Sequence, residues 1–135
     1  MKDFCIIGSG ISGSTIAHTL SKKYSLDVYD KARGVGGRSS NKKFNKNESF
    51  DHGVQYISPK SSQFKRFINN LITKKIVKKW PGKHMFLIRD KKEDKKHIKI
   101  IGNKGNNSIS KYLLKDINCT FNSEQIGRAS CRERV

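Results

Sequence analysis

The sequence predicts an α/β fold whose parallel sheet opens on a βαβ unit. Three observations carry this. Phe4-Cys5-Ile6-Ile7 is a short apolar run ending at Gly8, which reads as a buried parallel strand. Residues Ile11 to Lys23 place apolar side chains at Ile11, Ile16, Ala17 and Leu20, a helical spacing. Leu26, Val28 and Tyr29 then make a second apolar run that ends at Asp30. Strand, glycine turn, helix and strand in the first 30 residues form one βαβ unit.

The later elements follow from the same reasoning. Lys31 to Asn47 is glycine-rich and polar and is expected as a loop. Ser49 to Ile57 reads as a short strand with a turn at Gly53. Ser61 or Ser62 is placed to cap a helix running to about Lys74, with Phe64, Phe67, Ile68, Leu71 and Ile72 on one face. Ile76 to Trp80 reads as a strand stopped by Pro81-Gly82. Met85 to Arg89 and Ile98 to Ile101 are expected as strands joined through the charged run Asp90 to His97, a hairpin loop. Asn107 or Ser108 starts a helix through about Lys115, and Cys119 to Asn122 closes with one more strand. Phe64, Phe67, Trp80 and Phe86 take core positions.

Length and composition bound the function. A chain of 135 residues suggests a single domain. No apolar run approaches the ~18 residues of a spanning helix, and no small-residue cleavage site follows the first run. Three cysteines are too few for a disulfide framework, so a reducing, cytoplasmic setting is expected. Cys5 reads as a small buried hydrophobe. His18, His52, His84 and His97 have no metal-ligand spacing, so no metal site is expected. The net charge of +18 raises the alternative of a basic nucleic-acid-binding module. Its densest stretch is Lys60 to Lys99, with 12 Lys and 2 Arg. Yet Lys outnumbers Arg 22 to 7, whereas base and phosphate readers lean on the Arg fork. Lys, Ile and Asn together make 47 residues, a bias that AT-rich codons produce whatever the protein does. No nucleic-acid or membrane partner is therefore expected.

The chemistry is concentrated near the N-terminus. Gly8-Ser9-Gly10-Ile11-Ser12-Gly13 has the G-x-G-x-x-G spacing, after a strand and opening a helix. Gly8 permits the tight turn, Gly10 lets a pyrophosphate approach the backbone, and Gly13 lets helix and strand pack closely. The helix N-terminus offers free N–H groups and partial positive charge to phosphates. An acid is needed about 20 residues on for a ribose hydroxyl, and Asp30 stands there. An acid at that position favours FAD or NAD over a 2′-phosphorylated ligand. The fold class is thus the N-terminal part of a Rossmann-like dinucleotide-binding domain.

Asp30-Lys31-Ala32-Arg33-Gly34-Val35-Gly36-Gly37-Arg38 resembles the second fingerprint of the flavin amine oxidase superfamily, in which Gly-Gly-Arg follows the ribose-binding acid. The resemblance implies noncovalent FAD, with Gly36 and Gly37 allowing close approach and Arg38 clamping the diphosphate. Lys31 and Arg33 are added as neighbouring contacts. Phe50-Asp51-His52-Gly53-Val54-Gln55-Tyr56 is similar to a segment of the renalase-like branch, which implies that His52 or Gln55 approaches the cofactor. The family more often has Glu where this chain has Asp30, so the sugar must sit closer. A small-molecule amine or a reduced nicotinamide is the implied substrate, giving up a hydride to the flavin. No residue is assigned as catalytic.

The resemblance implies a division into residues 1–58, dinucleotide-binding; 59–105, the start of a mixed β/α substrate domain; and 106–125, a return to the first domain. Ile126 to Val135 holds three of the seven arginines and no lysine, and resembles a translated sequencing adapter. The expectation is a truncated N-terminal fragment, cut near Gln125 and inactive alone. An NAD-dependent dehydrogenase fragment is the alternative within enzymes.

Overall fold

A computed structural model describes residues 1–46, 48–82, 86–88, 91–93 and 98–124, with backbone alone at 86–88 and 91–93. The adapter-like peptide, His84, His97 and the ends of the Met85 to Arg89 strand lie outside the described residues.

The expected βαβ unit is present. Strand β1 is Phe4–Ile7, helix α1 is Ile11–Leu20 and strand β2 is Leu26–Tyr29. β1 and β2 pair in parallel, with Ile6 opposite Val28. A further strand, Asn118–Thr120, pairs in parallel with the other edge of β2 and sets Cys119 opposite Val28. That crossover brings residues 118–120 into one sheet with the first strand.

Between these parallel strands lie further pieces of sheet and two helices. Asn41–Lys43 (β3) pairs antiparallel with Ser49–Asp51 (β4). Helix α2 is Ser62–Thr73, and the Ser61 hydroxyl accepts the Phe64 N–H at 3.2 Å, the expected cap. β5, Val77–Lys79, is followed by β6, Phe86–Ile88, and β7, Lys91–Glu93, which pair antiparallel with each other. β8, Ile100–Gly102, pairs antiparallel with β5. Helix α3, Ser108–Leu113, leads to β9, the Asn118–Thr120 strand.

The core has two adjoining parts. Ala17, Leu26, Val28 and Leu114 are buried between α1 and one face of the parallel sheet. Ile68, Leu71, Val77, Ile100, Ile109 and Leu113 are buried between α2, α3 and the β5–β8 pair. The end of α3 serves both, because Leu113 packs in one part and Leu114 in the other. His18 of α1 contacts the Leu113 carbonyl through Nδ1 at 3.2 Å.

Several expectations are corrected. The loop over residues 31–47 contains a 3-10 turn, Gly37–Ser39, and strand β3, because the polar Asn41–Lys43 finds Ser49–Asp51 as a partner. The Ser49 to Ile57 strand stops at Asp51; Gly53 then turns the chain, and Ile57 makes a single bridge to Ile100. The charged run is not wholly a loop: β6 pairs with Lys91–Glu93 inside it, while Ile100–Gly102 pairs with β5. Among the described residues β1 is an edge strand of the parallel sheet, covered on one face, and it is not buried. Cys5 and Ile7 point to the open face and are exposed, so Cys5 is not a core residue. Ile11, Ile16 and Phe64 are also exposed, because α1 turns its Ser14 and Ala17 side inward and α2 its Ile68 and Leu71 side; Trp80, just past β5, is exposed as well. Among the described residues, no helix is long and apolar enough to cross a membrane.

Leu71 is 1% exposed at the centre of the second core part. Leu71→Ala is expected to cost about 2–5 kcal/mol of stability, read as a lowered midpoint in urea unfolding.

Candidate functional site

The two glycine segments meet at the carboxyl end of β1. Gly8 has a φ of 97°, a left-handed conformation that turns the chain from β1 into α1. Gly10 bridges Gly36 in parallel, and the Gly36 N–H donates to the Ser9 carbonyl at 3.0 Å. The second segment is itself bent through glycines, with φ of 125° at Gly36 and 52° at Gly37. The result is an open cleft of about 590 Å³, lined by Gly8, Gly10, Ser12, Gly13, Gly36, Gly37 and Arg38 among others.

The glycines do different work. A Cβ on Gly13 would stand 1.9 Å from the Gly8 carbonyl oxygen, so Gly13 is required by the contact of helix with turn. A Cβ on Gly10 would meet nothing nearer than the Gly37 Cα at 3.9 Å, so the fold itself leaves that space free. Gly10 caps α1 without a side-chain hydrogen bond, and the first turn carries no acid. The positive end of the helix therefore faces the cleft without compensation. Arg38 is exposed on the cleft wall and adds a full positive charge.

Ser9 and Asp30 lie behind the loop. Ser9 is fully buried and Asp30 is 9% exposed. Asp30 Oδ2 accepts the Ser9 N–H at 2.6 Å and the Ser9 hydroxyl, while Oδ1 accepts the Ala32 N–H at 2.8 Å. Burial opposes the charged carboxylate. The Ser9 hydroxyl, the Ala32 and Ser9 N–H groups and the Lys31 charge outweigh it and hold the Asp30 carboxyl below its ordinary range. The Ser9 carbonyl in turn accepts from the Ser14 hydroxyl at 3.1 Å.

The remaining expected site residues are less convergent. Ile11 and Ser12 line the cleft at the start of α1, whereas Lys31 and Arg33 are exposed on the loop after β2 and are not among its lining residues. His52 is exposed and shares a 3.2 Å hydrogen bond with the Ser40 hydroxyl. Gln55 is exposed as well. It is Val54, between them, that lines the cleft, anchored by its N–H to the Arg38 carbonyl at 2.9 Å. Gly53 permits this crossing, since a Cβ there would lie 2.0 Å from the Arg38 oxygen.

A residue that the sequence pattern does not single out holds this segment in place. Asn106 is fully buried. Its Nδ2 donates to the Val54 carbonyl at 2.6 Å and the Gln55 carbonyl at 3.2 Å, and its Oδ1 accepts the Gly102 N–H at 2.8 Å. Its own N–H donates to Asp51 Oδ1 at 2.9 Å. In sequence, Gly105-Asn106-Asn107-Ser108 reads only as a helix start, which hides a buried amide. A second cleft of about 450 Å³ adjoins the first through Ile11, Ser39 and Val54, and is walled by apolar groups including Ile57, Phe64 and Phe67.

The low Asp30 pKa has a signed consequence. A folded-state value below the unfolded one, about 3.9, adds stability that is fully present above that pH. It is lost as pH falls through the lower folded value. Asp30→Asn is expected to lower stability at pH 7 by about 1–3 kcal/mol, with the gap to the wild type narrowing below pH 4 in urea unfolding.

Residues 6–71 match the family model described as an NAD(P)-binding Rossmann-like domain. Among solved structures, the chain is similar to putrescine oxidase in three forms, all from a redesign of cofactor binding. A double mutant is 28% identical with a TM-score of 0.45, and the match covers 58% of this chain and 17% of that one. A single mutant and the wild type bound to putrescine are each 26% identical, with the same coverage and TM-score. The chain thus spans about a sixth of the length of that oxidase. With its parallel β1–β2–β9 sheet and glycine turn, the N-terminal part of the chain is a Rossmann-like α/β unit, similar over residues 6–71 to the NAD(P)-binding Rossmann-like domain family.

Proposed function

We propose that this chain carries the ADP-binding part of the FAD site of an oxidoreductase of the flavin amine oxidase type, in its renalase-like branch. The observation that carries the reading is the meeting of two glycine segments at one cleft, with Gly10 bridged to Gly36 and Arg38 on the wall. Either segment alone is a weak motif. Two of them sharing a cleft with a helix N-terminus fit a diphosphate.

The residues fit the group in a way that does not depend on resemblance. The space beside Gly10 is left open by the fold, so a diphosphate can approach its backbone. The first-turn N–H groups of α1 and the Arg38 guanidinium supply donors and positive charge. Lys31 and Arg33 add positive charge at the loop after β2. The apolar cleft past Val54 offers a place for a ring system, with His52 and Gln55 as the polar groups flanking that residue. FAD supplies the two-electron acceptor for a hydride from a small amine or a reduced nicotinamide, and the protein binds and orients it. A dehydrogenase fragment that binds NAD is the second reading, favoured by the description of the matched family.

Titration of the chain with FAD, followed by flavin fluorescence, is expected to show saturable binding. Gly10→Val should abolish it, because the side chain would fill the space beside the Gly10 backbone, where a Cβ meets no protein atom nearer than 3.9 Å; circular dichroism checks that the variant is folded. Retention of FAD by that variant would contradict the site. Saturable binding of NAD with none of FAD would transfer the reading to a dehydrogenase.

A further inference from the structure

We infer that Asn106 is a positioning residue for the ring half of the cofactor. By holding the Val54 and Gln55 carbonyls it sets the wall between the two clefts, and so favours FAD over a nucleotide that lacks the ring. This role rests on the FAD reading above and adds to it a residue outside both glycine segments.

Val54 is the boundary. It lines the cleft of the glycine segments and also the apolar cleft beyond. Residues His52 to Tyr56 lie in no strand, so no sheet ladder sets their path. Single bonds set it instead. The Val54 N–H donates to the Arg38 carbonyl at 2.9 Å, which ties that end to the diphosphate side. The Val54 carbonyl accepts from Asn106 Nδ2 at 2.6 Å, and the Gln55 carbonyl accepts from the same Nδ2 at 3.2 Å.

Asn106 is built for this. It is fully buried just beyond β8. Its Oδ1 accepts the Gly102 N–H at 2.8 Å, which turns the amide so that its donors face Val54 and Gln55. Its own N–H donates to Asp51 Oδ1 at 2.9 Å. The side chain cannot swing away without leaving buried polar groups unpaired. A carboxylate in its place would offer the two carbonyls no donor, and a leucine would offer neither donor nor acceptor. The glycine segments keep their separation by other means, the Gly10–Gly36 bridge and the bond from the Gly36 N–H to the Ser9 carbonyl. Loss of the Asn106 amide therefore loosens the wall of the apolar cleft and spares the diphosphate cradle.

The test measures FAD and ADP binding by calorimetry on the full chain and on its Asn106→Asp and Asn106→Leu variants. FAD is expected to bind about tenfold or more weakly to each variant, with ADP within about threefold of the wild type. In a Val54→Ala background the FAD loss from Asn106→Asp should shrink to less than about threefold, because the wall it acts through is gone. Equal weakening of both ligands, or unchanged FAD binding, would overturn the role of Asn106 and leave the dinucleotide site standing. If neither variant folds, the wild type decides: the Asn106 side-chain amide resonances should shift on addition of FAD and stay in place with ADP. Resonances that FAD leaves unmoved, or that ADP moves equally, would overturn the role. A wild-type chain that binds no FAD, whether or not it binds ADP, would remove the FAD reading and the role of Asn106 with it.

Discussion

The tie between Ser9 and Asp30 is the constraint on which the site depends. A glycine turn has little shape of its own, because its residues are free to adopt many conformations. Here one buried serine inside the turn is held at three atoms. Its N–H and hydroxyl go to Asp30 at the end of β2, and its carbonyl goes to Gly36 and Ser14. Asp30 continues the parallel sheet and is held in turn from β9. The cleft is therefore built from the sheet outward, and its two glycine walls keep a fixed separation.

The later part of the chain contributes to the same site from behind. Asn106 satisfies the backbone of Val54 and Gln55 and the turn at Gly102 with one side chain. Asp51 links it to Asn41, whose Nδ2 donates to Asp51 Oδ1 at 3.0 Å. An amide that is buried and fully bonded costs little to bury and much to lose. The wall containing Val54 is thus set by a residue 52 positions away in sequence, and the core around α2 and α3 is coupled to the cleft.

The βαβ unit is legible because its signals are local. An apolar run, a helical spacing and a glycine turn lie within 30 residues, and each element buries against the next. The cap at Ser61 is legible for the same reason. Pairings are not. Asn41–Lys43 is polar and carries no strand signal, and becomes β3 only because Ser49–Asp51 lies opposite it. The partner of β5 is Ile100–Gly102, a choice made by tertiary packing and not by hairpin proximity. Exposure is hidden at Cys5, Ile11, Ile16 and Phe64, since an apolar residue reads the same whether a neighbouring layer covers it or not. Within the site, the spacing locates Gly10 and Asp30. It does not show that Asp30 turns inward, because that depends on the Ser9 hydroxyl meeting it across two elements.

The high positive charge is spread over surface lysines, whereas the cleft draws its positive character from a helix end and Arg38. These two sources predict binding at different places, and one measurement separates them. Amide resonances of the labelled chain would be followed during titration with ADP. A nucleotide in the cleft shifts Gly8, Gly10, Ser12, Gly13, Gly36 and Gly37, and leaves Lys65, Lys74 and Lys78 unmoved. Shifts centred on the lysines, or none in the glycine segments at saturating ADP, would contradict the site.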